Sequence, residues 1–226
     1  MSGFKRLPKN LRIGGTLLHK DRPTGEAPQP DGVRRVNSKS VELETFVNLT
    51  QGGAAGALGL SVISSFGICA LILFVEGIEQ LTFRSFVEIA LYIPVLPAMI
   101  SIFYFAGGAH RNRGAYIRIH RGTRKLYFIY PRQKRLHVLD WDQLEALAGY
   151  VPIVSASGYA SRHPLYLFGV DYSMDPPTEI CAACGNLGMF DGDRSAKALW
   201  SYLQIFMERG PEGLPKPAPL PPRQSR

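Results

Sequence analysis

Residues 57–78 read ALGLSVISSFGICALILFVEGI, and residues 86–106 read FVEIALYIPVLPAMISIFYFA. No charged side chain occurs between Glu44 and Glu76, and none between Glu88 and His110. Each gap has room for a helix of about 20 residues, which at about 1.5 Å per residue covers the roughly 30 Å of a bilayer's hydrocarbon core. The composition therefore predicts a two-helix transmembrane hairpin over 52–109, with spans at 57–78 and 86–106. In the first span Leu60, Val62, Ile63, Phe66, Ile68, Leu71 and Phe74 outweigh Ser61, Ser64 and Ser65, since each large apolar residue favours insertion by about 0.3–0.6 kcal/mol. Pro94 and Pro97 predict a kink in the first half of the second. Small residues recur four apart, Gly52 with Gly56 and Ala55 with Gly59. That spacing lets helices approach closely, within the hairpin or between copies in a homo-oligomer.

Charge sets the expected topology. Lys and Arg outnumber Asp and Glu by 26 to 18, a formal charge of +8. Lys5, Arg6, Lys9, Arg12, Lys20, Arg22, Arg34, Arg35 and Lys39 precede the hairpin, and Arg111, Arg113, Arg118, Arg121, Arg124 and Lys125 follow it. The connecting loop holds only Arg84. Positive flanks stay in the cytoplasm, so both termini are expected inside. This placement accounts for the basic excess without a nucleic-acid partner.

Residues 1–46 read as a mostly disordered basic segment, because Pro8, Pro23, Pro28 and Pro30 and several glycines interrupt helices. The stretch Val41 to Leu49 alternates enough for a short strand. Beyond the hairpin, residues 112–211 read as a cytosolic domain. Tyr116 to His120 alternates, Arg121 to Arg124 turns, and Lys125 to Tyr130 returns, which is a hairpin signal. Strands are also expected at 136–139, 151–155, 165–170 and 178–183, with a short helix over 143–148 ended by Gly149. Asp191 or Asp193 can cap a last helix to about Glu208, whose stripe of Ala196, Leu199, Leu203, Phe206 and Met207, with Trp200 beside it, calls for burial. Residues 212–226 form a proline-rich tail, extended by composition. The fold class expected is thus an α+β membrane protein: a transmembrane hairpin, then an antiparallel β domain closed by a C-terminal helix.

Chemistry-bearing motifs are sparse. Cys181-Ala182-Ala183-Cys184 has the spacing of a redox or half-zinc motif. It falls in a strand rather than at a helix start, where a thiolate would be stabilised, and the five histidines show no paired spacing for zinc. Ser155, Ser157 and Ser161 accompany His163 without a nucleophile-elbow pattern. No catalytic residue, metal ligand or cofactor is assigned, and the chain does not read as an enzyme. A redox protein using Cys181 and Cys184 is the weakest alternative. The basic run Arg118, Arg121, Arg124, Lys125, Arg132, Lys134 and Arg135 contains no acidic residue between its ends. It is the expected surface for anionic lipid or a protein partner.

The order of strands before a terminal helix is similar to that of bacterial pleckstrin-homology-like domains. Two further stretches carry a family resemblance: Arg121-Gly122-Thr123-Arg124-Lys125-Leu126-Tyr127 with Asp140-Trp141-Asp142-Gln143-Leu144-Glu145-Ala146, and Leu199 to Pro211 ending in Met207-Glu208-Arg209-Gly210-Pro211. They resemble an uncharacterised bacterial family, a domain of unknown function whose two-span members are often encoded near type VI secretion genes. The resemblance implies a Gram-negative inner membrane and a secretion or effector–immunity context. It carries no catalytic residue. The expectation is an inner-membrane anchor in the bilayer that presents its domain to a protein partner or anionic lipid, accessory to type VI secretion. The alternative is an immunity protein against a membrane-acting toxin.

Overall fold

The computed structural model describes residues 14–46, 59–68, 70, 74, 95–106, 116–130, 134–155, 158–185 and 191–218. The chain forms two compact units, one from residues 1–49 and 113–226 and the other from residues 50–112.

In the second unit the expectation of a transmembrane hairpin is corrected. Among the described residues no helix is long and apolar enough to cross a membrane. Helix α1, Val95–Ala106, has 12 residues, about 18 Å against the roughly 30 Å required. Pro97 is the third residue of this helix. Pro94, the other proline of the expected kink, lies outside the described residues. Residues 59–68 are also helical, while 75–94 lie outside the described residues. A run without charge is a statement about composition, and a span needs continuous helix as well. The α+β membrane class and the multi-pass inner-membrane placement fall with the hairpin. Among the described residues the chain is mostly antiparallel sheet with few helices.

Among the described residues the first unit has eleven strands. A five-stranded sheet runs β2 (Val33–Val36), β3 (Ser40–Leu43), β4 (Tyr116–His120), β5 (Lys125–Ile129), β6 (Leu136–Asp140). A four-stranded sheet is ordered β1 (Gly15–Leu18), β7 (Glu145–Gly149), β10 (Leu165–Asp171), β11 (Thr178–Cys184), and β8 (Val151–Ser155) pairs with β9 (Gly158–Arg162). All pairings are antiparallel. Strand alternation sends Ile117, Ile119, Leu126, Phe128 and Leu139 into one core with Leu165, Leu167, Ile180 and Ala182 from the other sheet. At one corner a 3-10 turn, Trp141–Gln143, passes the chain from β6 to β7, with the Asp140 carboxylate accepting from the Asp142 amide at 2.9 Å. At another, Thr45 bridges to Cys184.

Two expectations change here. The N-terminal segment read as mostly disordered supplies β1, β2 and β3. Pro23, Pro28 and Pro30 fall between β1 and β2, Pro8 lies outside the described residues, and Asn37 turns β2 into β3 by accepting from the amides of Lys39 and Ser40 at 3.0 and 2.7 Å. The helix expected over 143–148 is strand β7 instead. Its Ala and Leu residues are good helix formers, but β1 and β10 hold it on both edges and Ala146, Leu147 and Ala148 are buried.

Helix α2, Arg194–Arg209, packs on β7 and β10 and buries Leu199, Trp200, Leu203, Phe206 and Met207. Asp193 takes the N-cap position without a side-chain cap bond. Its carboxylate accepts from Thr16 at 2.9 Å and pairs with Lys197 at 2.8 Å. A strap from the N-terminal segment crosses the helix. Gln204 donates to the Lys20 carbonyl at 3.0 Å, the hydroxyls of Thr24 and Ser201 meet at 2.5 Å, and the Gln29 amide donates to the Ala198 carbonyl at 3.3 Å.

Candidate interaction surface

The basic run is divided by the fold. Arg118 on β4 is paired with Glu42 on β3, its neighbour in register. Arg121 donates to the carbonyls of Met207 at 3.4 Å and Glu208 at 3.1 Å, closing the C-terminus of α2, where carbonyls lack helical partners. Arg124, in the left-handed region at φ 51°, grips Asp142 with Nε at 3.0 and 2.7 Å from its two oxygens. That bond holds the Asp142 carboxyl below its usual range and raises Arg124. Lys125 is exposed and stands opposite Asp140 in register. Lys134 and Arg135 are exposed at the other end of the β5–β6 hairpin. At about 3.4 Å per residue, the five residues of β5 put these two groups roughly 17 Å apart. Arg132 lies outside the described residues, as do Gly52 and Gly56. At Gly59 a Cβ would meet nothing within 4 Å.

The same alternation that buries Leu126, Phe128, His137 and Leu139 turns Tyr127, Ile129, Leu136 and Val138 to the outer face. Tyr127 faces Val138 in register and Ile129 faces Leu136, so the four form one contiguous square. Leu136 is 47% exposed. Sequence reading singled out the cations around this square and passed over the apolar residues in it. Their signal was the phase of the alternation: both faces of β5 and β6 carry large apolar residues, where a half-solvated sheet carries them on one.

The edge beside this square is partly closed. The Asp171 carboxylate accepts from the Val138 amide at 3.4 Å and lies 3.0 Å from His137 Nδ1, both side chains buried. Burial works against the charged form of Asp171, but the hydroxyl and amide of Ser173, then His137 and Val138, outweigh it and hold the carboxyl below its usual range. Tyr172, the next residue, is 61% exposed.

Cys181 and Cys184 sit on β11 with three-residue spacing, which puts their side chains on opposite faces of the strand. Burial pushes the Cys181 thiol up to about 12, and Cys184 higher still. Cys184 Sγ lies 3.3 Å from the Leu165 carbonyl oxygen, to which it donates. Ser161 and His163 approach at 3.1 Å, beside the Tyr150 ring.

A family model described as a family of unknown function (DUF6708) matches residues 94–226, more than half of the chain. The chain belongs to this family. The DUF6708 match takes in β4–β11 and α2, and therefore the whole apolar square with its flanking cations. It leaves out β1, β2, β3 and the strap, which dock onto the matched region through β4, β7 and α2. No curated protein and no solved structure matches the chain.

Proposed function

We propose that this DUF6708 chain is a protein-interaction module whose working surface is the outer face of the β5–β6 hairpin. One observation supports this reading above the others: Tyr127, Ile129, Leu136 and Val138 form a contiguous apolar square on an outward sheet face. Scattered single apolar residues are ordinary on a protein surface, whereas a contiguous patch rimmed by polar groups is characteristic of an interface. The basic flanks would orient the partner, and the square would supply the contact area. The resemblance to proteins encoded near type VI secretion genes suggests a component of that apparatus as the partner. In the immunity reading, a toxin takes its place.

The test is proximity labelling by the full chain in its native host, run beside a Tyr127→Ala/Leu136→Asp variant. The expected result is a reproducible set of labelled proteins that disappears with the variant while its melting temperature stays within a few degrees. An identical labelled set with both chains would remove this surface from the function.

A further inference from the structure

We infer that the segment docking on the β5–β6 face is an acidic stretch of a partner protein that carries apolar side chains. The inference rests on the interaction-module reading and adds the chemistry of what binds. It follows from which cations are already answered within the fold. Arg118 is paired with Glu42, Arg124 with Asp142, and Arg121 with the carbonyls that end α2. Among the described residues Lys125 makes no ion pair, but it lies at the far end of the hairpin from Leu136 and has Asp140 opposite it in register. Lys134 and Arg135 are different: both are exposed, and among the described residues neither has an acidic partner. They immediately precede Leu136, the most exposed corner of the square. The uncompensated charge at the square's edge is therefore positive, and carboxylates brought there by a partner meet it at distances that salt does not fully screen.

Other occupants fit less well. A second copy brings its own excess of eight positive charges to the encounter. Nucleic acid is held by many phosphate contacts along a continuous basic track, and here Glu42, Asp142 and Asp140 interrupt that track. An apolar square of two facing pairs suits alternate side chains of an extended peptide, with acidic residues beside them.

The experiment is selection from a random twelve-residue peptide library displayed on phage, with the full chain immobilised. Enriched sequences are expected to combine apolar residues with Asp or Glu. A synthetic peptide from that set should bind, and Lys134→Glu with Arg135→Glu should weaken it at least about tenfold. Repeating the selection on that variant should turn the bias toward Lys and Arg. Lys134→Gln with Arg135→Gln gives the same direction with a smaller loss if the reversed charges disturb folding. Enrichment without acidic bias overturns this inference and leaves the interaction reading standing. The absence of any enriched peptide overturns both. Binding of duplex DNA or of phosphatidylserine vesicles in place of peptides, lost on the same charge reversal, also overturns it. So does a dimer of the full chain that Leu136→Asp dissolves.

Discussion

Trp141 and Trp200 lie ring to ring, with centroids 5.4 Å apart and planes tilted by 33°. They are the two tryptophans of the chain, and both are buried. One sits in the turn that joins the sheets and the other in the terminal helix. Tryptophan emission therefore reports on the packing of α2 against this turn. We predict that Leu203→Ala, which opens a hole beneath this helix at a fully buried position, costs about 2–5 kcal/mol. Urea titration followed by emission measures it. A midpoint unchanged from that of the parent chain would mean that the helix does not depend on its buried stripe.

Asp171 gives a second prediction, with a sign. Its carboxyl is held below the ordinary value of 3.8 in the folded chain. The stability it contributes is present above the unfolded pKa and is lost as pH falls through the folded one. Asp171→Asn turns a donor toward the Val138 amide and His137 if its oxygen keeps the bonds to Ser173, and the expected cost at neutral pH is about 1–3 kcal/mol. The difference between variant and parent should shrink on acidification below pH 4. A gap that stays constant from pH 7 to pH 3 contradicts the assignment.

Lys20 acts with the same sign in a more alkaline window, through burial of its charged form. Its ammonium donates to the Trp141 carbonyl and lies over the Trp141 ring, 5.2 Å from the centroid. Burial, partly opposed by Asp142, lowers it from 10.5 to about 8. Between those values the unfolded chain holds a proton that the folded chain has released, so stability rises with pH across that window. Lys20→Met should flatten the rise. Melting temperatures between pH 7.5 and 9.5 are the measurement, and parallel curves for the two proteins count against a buried amine.

Arg121 is expected to act on the helix end and not on ligands. Arg121→Ala should cost about 0.3–1 kcal/mol, the usual range for a cation at a helix C-terminus. Hydrogen exchange should speed up at the last turn of α2 and stay unchanged in β5 and β6. Faster exchange in those strands instead would place its role in the sheet.

Much of the β domain was legible in residue periodicity. Tyr116 to His120 alternates because one face is core, the turn at Arg121 to Arg124 marks the return of β5, and the α2 stripe is buried where helical spacing puts it. Glu145 to Gly149 misled because local propensity favours a helix, and only distant neighbours on both edges make it a strand. The segment 15–43 misled because proline was read as disorder, although proline between strands is compatible with order. The charge-free stretches misled most, since composition does not fix helix length. At the candidate surface the cations were legible, but their answering carboxylates, Glu42 and Asp142, come from other strands and turns. Charge in a list of residues is not charge on a surface until those partners are subtracted.

Strands β3 and β4 are hydrogen-bonded neighbours, Leu43 opposite Ile117, yet residues 44–115 separate them in sequence. What would ordinarily be a hairpin turn has been opened, and a whole second unit is spliced into it. The exit and return points are adjacent strand ends, so within the β unit the insertion adds the entropy of closing a long loop. That entropy grows with the logarithm of length, and exchanging the guest for a six-residue linker recovers roughly 2 kcal/mol. A chain built this way can lengthen, shorten or trade the insert while every strand pairing of the host survives. The strands of the host and the inserted unit are therefore free to evolve at different rates.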